Sequence, residues 1–446
     1  MQVIAQIAFA LLAAVAIFLF SKKVGMLRRN VLMGRPEAIA TDTPTRWRNL
    51  LLLAFGQKKM FKNLPVAIMH FVIYAGFIII NIEVLEIVLD GLLGTHRLFA
   101  GFLGAGLYNF LINVFELLAL GVLVVVVVFW LRRNAIKLQR FVSNDLNGWP
   151  RTDANIILYV EVVLMTLFLT MNATDTVLQS RGIDHYAEHA VGPWLVSSWL
   201  TPLFNGLGSS TLVAVERSAW WQHIVGIFAF LNYLPYSKHL HILMAFPNAW
   251  FARPEAQGKM TNMPEIQREV LLAMGADTSP FAAVTALPEA APAQFGAKDV
   301  MDLSWKNLMD AYSCTECGRC STACPANQTG KLLSPRSIMM KTRDRMEAVG
   351  QNRDANCGNF VPDGKSLLHD YISVEELRAC TTCNACVEAC PVSINPLDII
   401  LKQRRYLILD ESNSPGEWNA MFGNIENNFA PWKFSADERE AWTQQV

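Results

Sequence analysis

Cysteine is absent from the first 313 residues, and charge is scarce along the whole chain. Acidic and basic residues make up 17% and cancel to a net charge of zero, which excludes a generally basic protein that binds nucleic acid. No basic stretch precedes the first apolar run. Lys22, Lys23, Arg28 and Arg29 follow it instead, the pattern of a retained helix rather than a cleaved secretory signal. Long internal repeats are missing too; the one duplicated element is a short cysteine motif near the C-terminus.

What is present is hydrophobic sequence, 52% of the chain, most of it before residue 255. A helix crosses the roughly 30 Å of bilayer hydrocarbon in about 20 residues. Runs near 2–20, 64–89, 107–131, 155–178 and 219–236 predict five such spans. Basic residues are retained on the cytoplasmic side of a membrane. The 21–63 and 132–153 loops are rich in them, whereas 90–106 has only Arg97 and 179–218 only Arg181 and Arg217. Five spans then put the N-terminus outside and the C-terminus in the cytoplasm of a bacterial or archaeal cell, with membrane lipid around the first half. PWLVSSWLTPLF, within 179–218, is expected at the membrane interface or as a re-entrant stretch. The domain reading is a membrane part at 1–254, an Ala/Pro-rich linker at 255–300, a helical cysteine-bearing module at 301–405 and a tail at 406–446.

In the reducing cytoplasm, closely spaced cysteines point to metal ligation rather than disulfides. CTECGRCSTACP at 314–325 recurs as CTTCNACVEACP at 380–391, each spaced C-x2-C-x2-C-x3-C-P. Three thiolates at this spacing wrap one iron–sulfur cubane, and the fourth, followed by proline, reaches the other. Cys314, Cys317, Cys320 and Cys390 are therefore assigned to one 4Fe-4S cluster, and Cys380, Cys383, Cys386 and Cys324 to a second. Structural zinc sites also use C-x2-C pairs, but zinc needs neither the third evenly spaced cysteine nor the Cys-Pro, twice over. Cys357 matches neither copy and is expected to be a buried free thiol. Between the copies, SPRSIMMKTRDRMEAVG and SVEELRAC predict helices. With ISVEELRAC leading into the second copy, residues 300–405 resemble the α-helical ferredoxin of heterodisulfide reductase small subunits, of anaerobic glycerol-3-phosphate dehydrogenase and of the succinate dehydrogenase iron–sulfur subunit.

A histidine inside a span is costly without a partner, so each is a functional candidate. His70 lies two turns into the second span, His223 near the outer end of the fifth, and His239 and His241 at its cytoplasmic end. His223 and His241 are 18 residues apart, five turns, and share a helix face if Pro235 does not rotate it. Such histidines can ligate haem b, one or two groups across the bilayer. For His239, beside Lys238, a headgroup-facing role competes with ligation. His96, His185, His189 and His369 are given no role.

GQKKMFKNLPVAIMHFVIYAGF and WWQHIVGIFAFLNYLPYSKHLHIL resemble the cytochrome b (gamma-type) subunit of respiratory nitrate reductase and the membrane subunit of methanogen heterodisulfide reductase. That resemblance implies a cytoplasmic-side haem on His70 and His241 and an outer haem on His223. Nitrate reductase has a second histidine ten residues along the second span, where this chain has Ile80, leaving the outer haem's other ligand open.

Asn81, Glu83 and Glu86 in the second span and Asn113 and Glu116 in the third are polar groups able to meet a quinone, with Glu116 and Glu83 as the proton-exchanging candidates. The expected fold is all-α: a five-helix transmembrane bundle followed by an α-helical ferredoxin domain. The expected function is electron transfer between a (mena)quinone pool and a cytoplasmic partner through haem b and two 4Fe-4S clusters, as in heterodisulfide reductase-like oxidoreductases. Those enzymes continue into CCG domains, and this chain has no Cys-Cys pair. A separate CCG-domain protein, flavoprotein or electron-transfer flavoprotein is the expected partner. The alternatives are a haem-free membrane anchor for a ferredoxin and a redox-coupled proton-translocating subunit.

Overall fold

The computed structural model describes residues 2–188, 191–254, 258–260, 262–275 and 294–444. Among these the regular structure is helical, and β-pairing is limited to isolated bridges such as Arg35 with Ser304. Residues 276–293 of the expected 255–300 linker, and His189, lie outside the described residues.

Four described helices are long and apolar enough to cross a membrane: α1 (Gln2–Val31), α2 (Leu64–Leu93), α3 (Leu98–Asn134) and α4 (Trp149–Ser180). Their outer faces stay apolar: Ile4, Leu11 and Phe18 on α1, Phe77 and Leu85 on α2, and Phe110 and Val124 on α3 are all exposed. Faces with no polar side need hydrocarbon around them, which makes this a membrane protein. Their inner faces meet in a core containing Phe9, Ile80, Ile112, Phe168 and Ile224. Local signals set the ends of α2. Asn63 accepts a hydrogen bond from the Val66 amide, Pro65 fits the first turn, and Gly94 closes the helix in the left-handed conformation (φ 74°).

The predicted span 219–236 falls in α5 (Ser209–Tyr233), which carries Glu216, Arg217, Gln222 and His223 and is less apolar than the other four. It packs along α4 and against α1. The helix does not run on to His241 as the five-turn argument required. Pro235 removes an amide, Leu234–Tyr236 tightens to a 3-10 turn, and Ser237 is extended (φ −114°, ψ 154°). Buried Asp153 of α4 holds this break by accepting hydrogen bonds from the Tyr233 and Ser237 hydroxyls and the Lys238 amide. His241 opens a new helix, α6 (His241–Trp250).

The cysteine-bearing half is built on α7 (Trp305–Ser313), α8 (Pro335–Ala355) and α9 (Pro396–Leu409), which runs past the expected boundary at 405 and precedes α10 (Gly416–Asn428). Its core holds Leu308, Ile338, Met346 and Ile399, and it admits Leu27 of α1 and Leu240, so the two halves share buried surface. Polar contacts extend the joint. Asn30 donates to the Tyr312 hydroxyl (2.9 Å), buried Arg336 donates to Asp145 and to the Arg140 carbonyl, and Arg253 pairs with Glu37 and Asp398.

Gly350 of α8 sits where a Cβ would lie 2.3 Å from Asn30 Oδ1. Alanine adds up to about 1 kcal/mol of helix propensity, whereas overpacking costs about 1–3 kcal/mol, so Gly350→Ala is expected to destabilise the joint. A lowered unfolding temperature in detergent would register it. Acid weakens the same joint. Burial alone would push the Asp145 and Asp398 carboxyls up, but Arg336 facing one, and Arg253 and Lys402 facing the other, outweigh it and hold both below the usual range. Their contribution is complete above the ordinary carboxylate pKa of about 4 and is lost as pH falls below it, so thermal stability should drop on that side.

Candidate functional site

The two cysteine copies share a backbone as well as a spacing. Glu316 and Thr382, third in each copy, both have positive φ (56° and 58°), and Gly318 and Asn384, fifth in each, are left-handed (74° and 60°). These residues turn the chain around a common centre, and the short helices Arg319–Ala323 and Ala385–Ala389 that follow pack on each other. Glycine is required in the first copy, because Arg336 Nη1 stands 2.7 Å from the position of a Cβ at Gly318, whose φ is in any case left-handed.

Cys320 has Cys314, Cys317 and Cys390 as its nearest electrostatic neighbours, with Cys386 a weaker one; Cys386 in turn has Cys380, Cys324 and Cys383. The fourth cysteine of each copy thus lies with the other copy's first three. Burial pushes the Cys314 and Cys386 thiols up to about 12 and Cys390 up to about 11. Sulfurs this shielded become thiolates by exchanging protons for iron. Among the described residues no three Cys, His, Asp or Glu side chains sit at single-ion spacing. Backbone amides reach two of them: Thr382 N to Cys380 Sγ (3.4 Å) and Ile394 N to Cys390 Sγ (3.3 Å), bonds of the kind that tune cluster potential. Cys383 is exposed, beside a hollow of about 370 Å³ shared with Thr382, Asn384 and Glu388. Cys357, expected to be buried, is exposed at a positive-φ turn after α8.

A cavity of about 480 Å³ extends from inside the helix bundle to this module. His70, His223, His239 and His241 line it, and so do Cys314, Cys317, Cys320, Cys386 and Cys390. Three of the histidines are held alike by Nδ1: His70 to Gln57 Oε1, His223 to the Leu164 carbonyl and His241 to the Lys238 carbonyl, each at 3.0 Å. A bond that fixes Nδ1–H leaves the Nε2 lone pair free, the arrangement that metal-ligating histidines use. His239 packs edge-on to His241 (5.5 Å between ring centres) and against Phe230, with no such bond. Arg132, Arg133 and Arg140 also line the cavity, and Arg133 Nη1 is buried without a hydrogen-bond partner.

The expected quinone carboxylates lie elsewhere. Neither Glu83 nor Glu116 lines the cavity. Glu116 Oε1 accepts from Asn172 Nδ2 of α4 (3.1 Å), and Oε2 accepts from the Val196 and Ser197 amides (2.8 and 3.0 Å), so the carboxylate holds the 191–200 segment to the bundle. Trp194 of that segment, expected at the interface, is instead buried under the Arg97 guanidinium (4.3 Å). Glu86 accepts from the Tyr108 hydroxyl and the Phe99 amide. Glu83 alone of the three has no partner for either oxygen. Two carboxylates do line the cavity, Glu316 of the first cysteine motif and Glu161 of α4; Glu161 was not among the expected site residues, although an acid within the apolar stretch 156–171 is itself a signal.

Residues 313–394 match the family model for a 4Fe-4S dicluster domain. Over 98% of its length the chain is 25% identical to a protein of Bacillus subtilis described as "Probable iron-sulfur-binding oxidoreductase FadF", covering 60% of that relative. Over 88% it is 25% identical to the EtfAB:quinone oxidoreductase of Syntrophomonas wolfei, covering 53% of it. Over 32% it is 26% identical to one component of the dihydromethanophenazine:CoB--CoM heterodisulfide reductase of Methanosarcina acetivorans, covering 35% of that component. The chain therefore spans little more than half the length of the first two relatives. No solved structure matches. The relatives are iron–sulfur oxidoreductases, and this chain carries a 4Fe-4S domain beneath a set of apolar helices.

Proposed function

We propose that the chain passes electrons between a quinone in the bilayer and a redox partner in the cytoplasm, through haem b and two 4Fe-4S clusters. The observation that carries this reading is the shared cavity: histidines of the bundle and cysteines of the first motif line one continuous space. In it His70 and His241 would hold a haem by Nε2, with the unpartnered Arg133 Nη1 available to a propionate. Cys314, Cys317, Cys320 and Cys390 would hold the cluster nearer the membrane, and Cys324, Cys380, Cys383 and Cys386 the one whose edge is exposed at Cys383. Haem and cubane alike supply one-electron exchange when bound. The protein's own part is to fix the imidazoles through Nδ1, exclude water and present one exposed sulfur edge.

The α5 helix supports a fifth span: it packs on α4 and α1, and its polar residues Glu216 and His223 are buried rather than lipid-facing. With the loop charges, that gives an N-out bundle with the clusters in the cytoplasm. The EtfAB:quinone oxidoreductase relative favours an electron-transfer flavoprotein as donor or acceptor, ahead of a CCG-domain protein or other flavoprotein. The test is a dithionite-reduced minus oxidised spectrum of the detergent-purified protein, with a pyridine haemochrome count. A b-type spectrum with one or two haems per chain is expected. Intact clusters without haem would leave an anchored ferredoxin and end the wire reading.

A further inference from the structure

We propose that the deep end of the membrane cavity is a quinone site, with His223 and Glu161 as its two proton-exchanging groups; this rests on the electron-transfer reading above. His223 is 1% exposed, and its Nε2 has no hydrogen-bond partner. The position from which a second imidazole was expected holds Ile80, also buried. Of the cavity histidines, His239 and His241 pack on each other (5.5 Å between ring centres), whereas the ring beside His223 is that of Phe168 (6.3 Å). A haem at His223 would thus lack an opposing imidazole, and the orphaned nitrogen calls for a different occupant.

Glu161 supplies the second observation. It lies one turn before Leu164, whose carbonyl holds His223 Nδ1, and lines the same cavity. No hydrogen bond or ion pair is found for it among the described residues. A carboxyl group left unpartnered within a span is costly, so its retention calls for a polar ligand group. The Tyr74 hydroxyl, on the α2 wall of the cavity, is likewise buried without a partner. The remaining walls here are apolar: Ile80, Val122, Met165 and Ile227. A flat apolar ring with an oxygen at each end fits such a lining, because it needs two proton-exchanging groups and otherwise only hydrophobic contact.

Written in the oxidising direction, the two O–H bonds of a quinol break. One proton passes to His223 Nε2, since Nδ1 keeps its own on the Leu164 carbonyl, and the other passes to the Glu161 carboxylate. The two electrons leave singly to the one-electron carriers of the protein, which are reduced as the quinol becomes a quinone. Reduction of a quinone runs the same transfers backwards.

The experiment titrates the full-length protein in mild detergent with 2-heptyl-4-hydroxyquinoline N-oxide, a fluorescent quinone analogue, alongside pyridine haemochrome and iron counts. One analogue and one haem per chain are expected. His223→Gln and Glu161→Gln should each weaken analogue binding at least tenfold while haem and iron stay at the unsubstituted level, which also shows that the variants fold. Two haems per chain with one lost in His223→Gln would overturn the proposal, and so would unchanged affinity in both variants. Analogue binding without any haem would end the wire reading and leave the quinone site standing.

Discussion

His241→Ala protein, purified as the unsubstituted chain is, should lack the b-type visible spectrum while keeping all of its iron–sulfur iron. The imidazole is presented by a short helix that begins at His241 itself, with Nδ1 held by the Lys238 carbonyl. His70→Ala should do the same from the opposite wall of the cavity. His239→Ala should keep the haem, because its ring leans on Phe230 and His241 and is not held by Nδ1. A graded variant separates ligation from folding. Gln57→Ala removes only the partner of His70 Nδ1, and loss of such a supporting bond typically lowers metal affinity by about 10–100-fold. That protein should therefore retain haem at high haem concentration and lose it on dilution or gel filtration. The cluster half has its own core around Leu308, Ile338 and Ile399, so its iron content should not follow the haem. Full haem occupancy in His241→Ala would remove the assignment of His241 as a haem ligand.

What could be read from the sequence was local or periodic. Apolar runs as long as the bilayer is thick announce α1 to α4, and a motif whose ligands are fixed by spacing announces itself twice. Asn63 and Gly94, which bound α2, are signals of the same short range. What could not be read depends on partners far along the chain. The break after Tyr233 needs Asp153, some 80 residues away, to receive the freed hydroxyls and amide, and without that partner Pro235 alone did not decide between a kink and a stop. Glu116 looked free in its helix because its donors, Val196 and Ser197, come from a segment 80 residues on. His239, for which a headgroup-facing role competed with ligation, lines the internal cavity, and Lys238 beside it is buried and paired with Glu316 of the first cysteine motif. In each case the hydrophobic pattern located the helix, while the fate of its few polar atoms was set by tertiary contacts that no window of sequence contains.

Replacing Cys390 by alanine should remove half of the iron, and the half removed should belong to the first motif rather than to the copy that contains Cys390. The neighbours of Cys320 are Cys314, Cys317 and Cys390, and those of Cys386 are Cys380, Cys324 and Cys383, so under this assignment each four-iron site would draw one sulfur from the other copy. Double variants read the assignment directly, because two losses in one site do not add whereas losses in separate sites do. Cys390→Ala with Cys314→Ala should contain as much iron as Cys390→Ala alone. Cys390→Ala with Cys380→Ala should contain almost none. If each copy instead closed its own cluster, the two results would be exchanged. The consequence reaches the membrane. The site that includes Cys390 borders the cavity with all four of its sulfurs, against Cys386 alone from the other, so its loss should leave any b-type haem reducible from quinol while cutting transfer to the exposed edge at Cys383. Loss of the other site, through Cys386→Ala, should leave one cluster still reducible from the membrane side. A stopped-flow trace of cluster bleaching after quinol addition distinguishes them: absent in Cys390→Ala, reduced by about half in amplitude in Cys386→Ala.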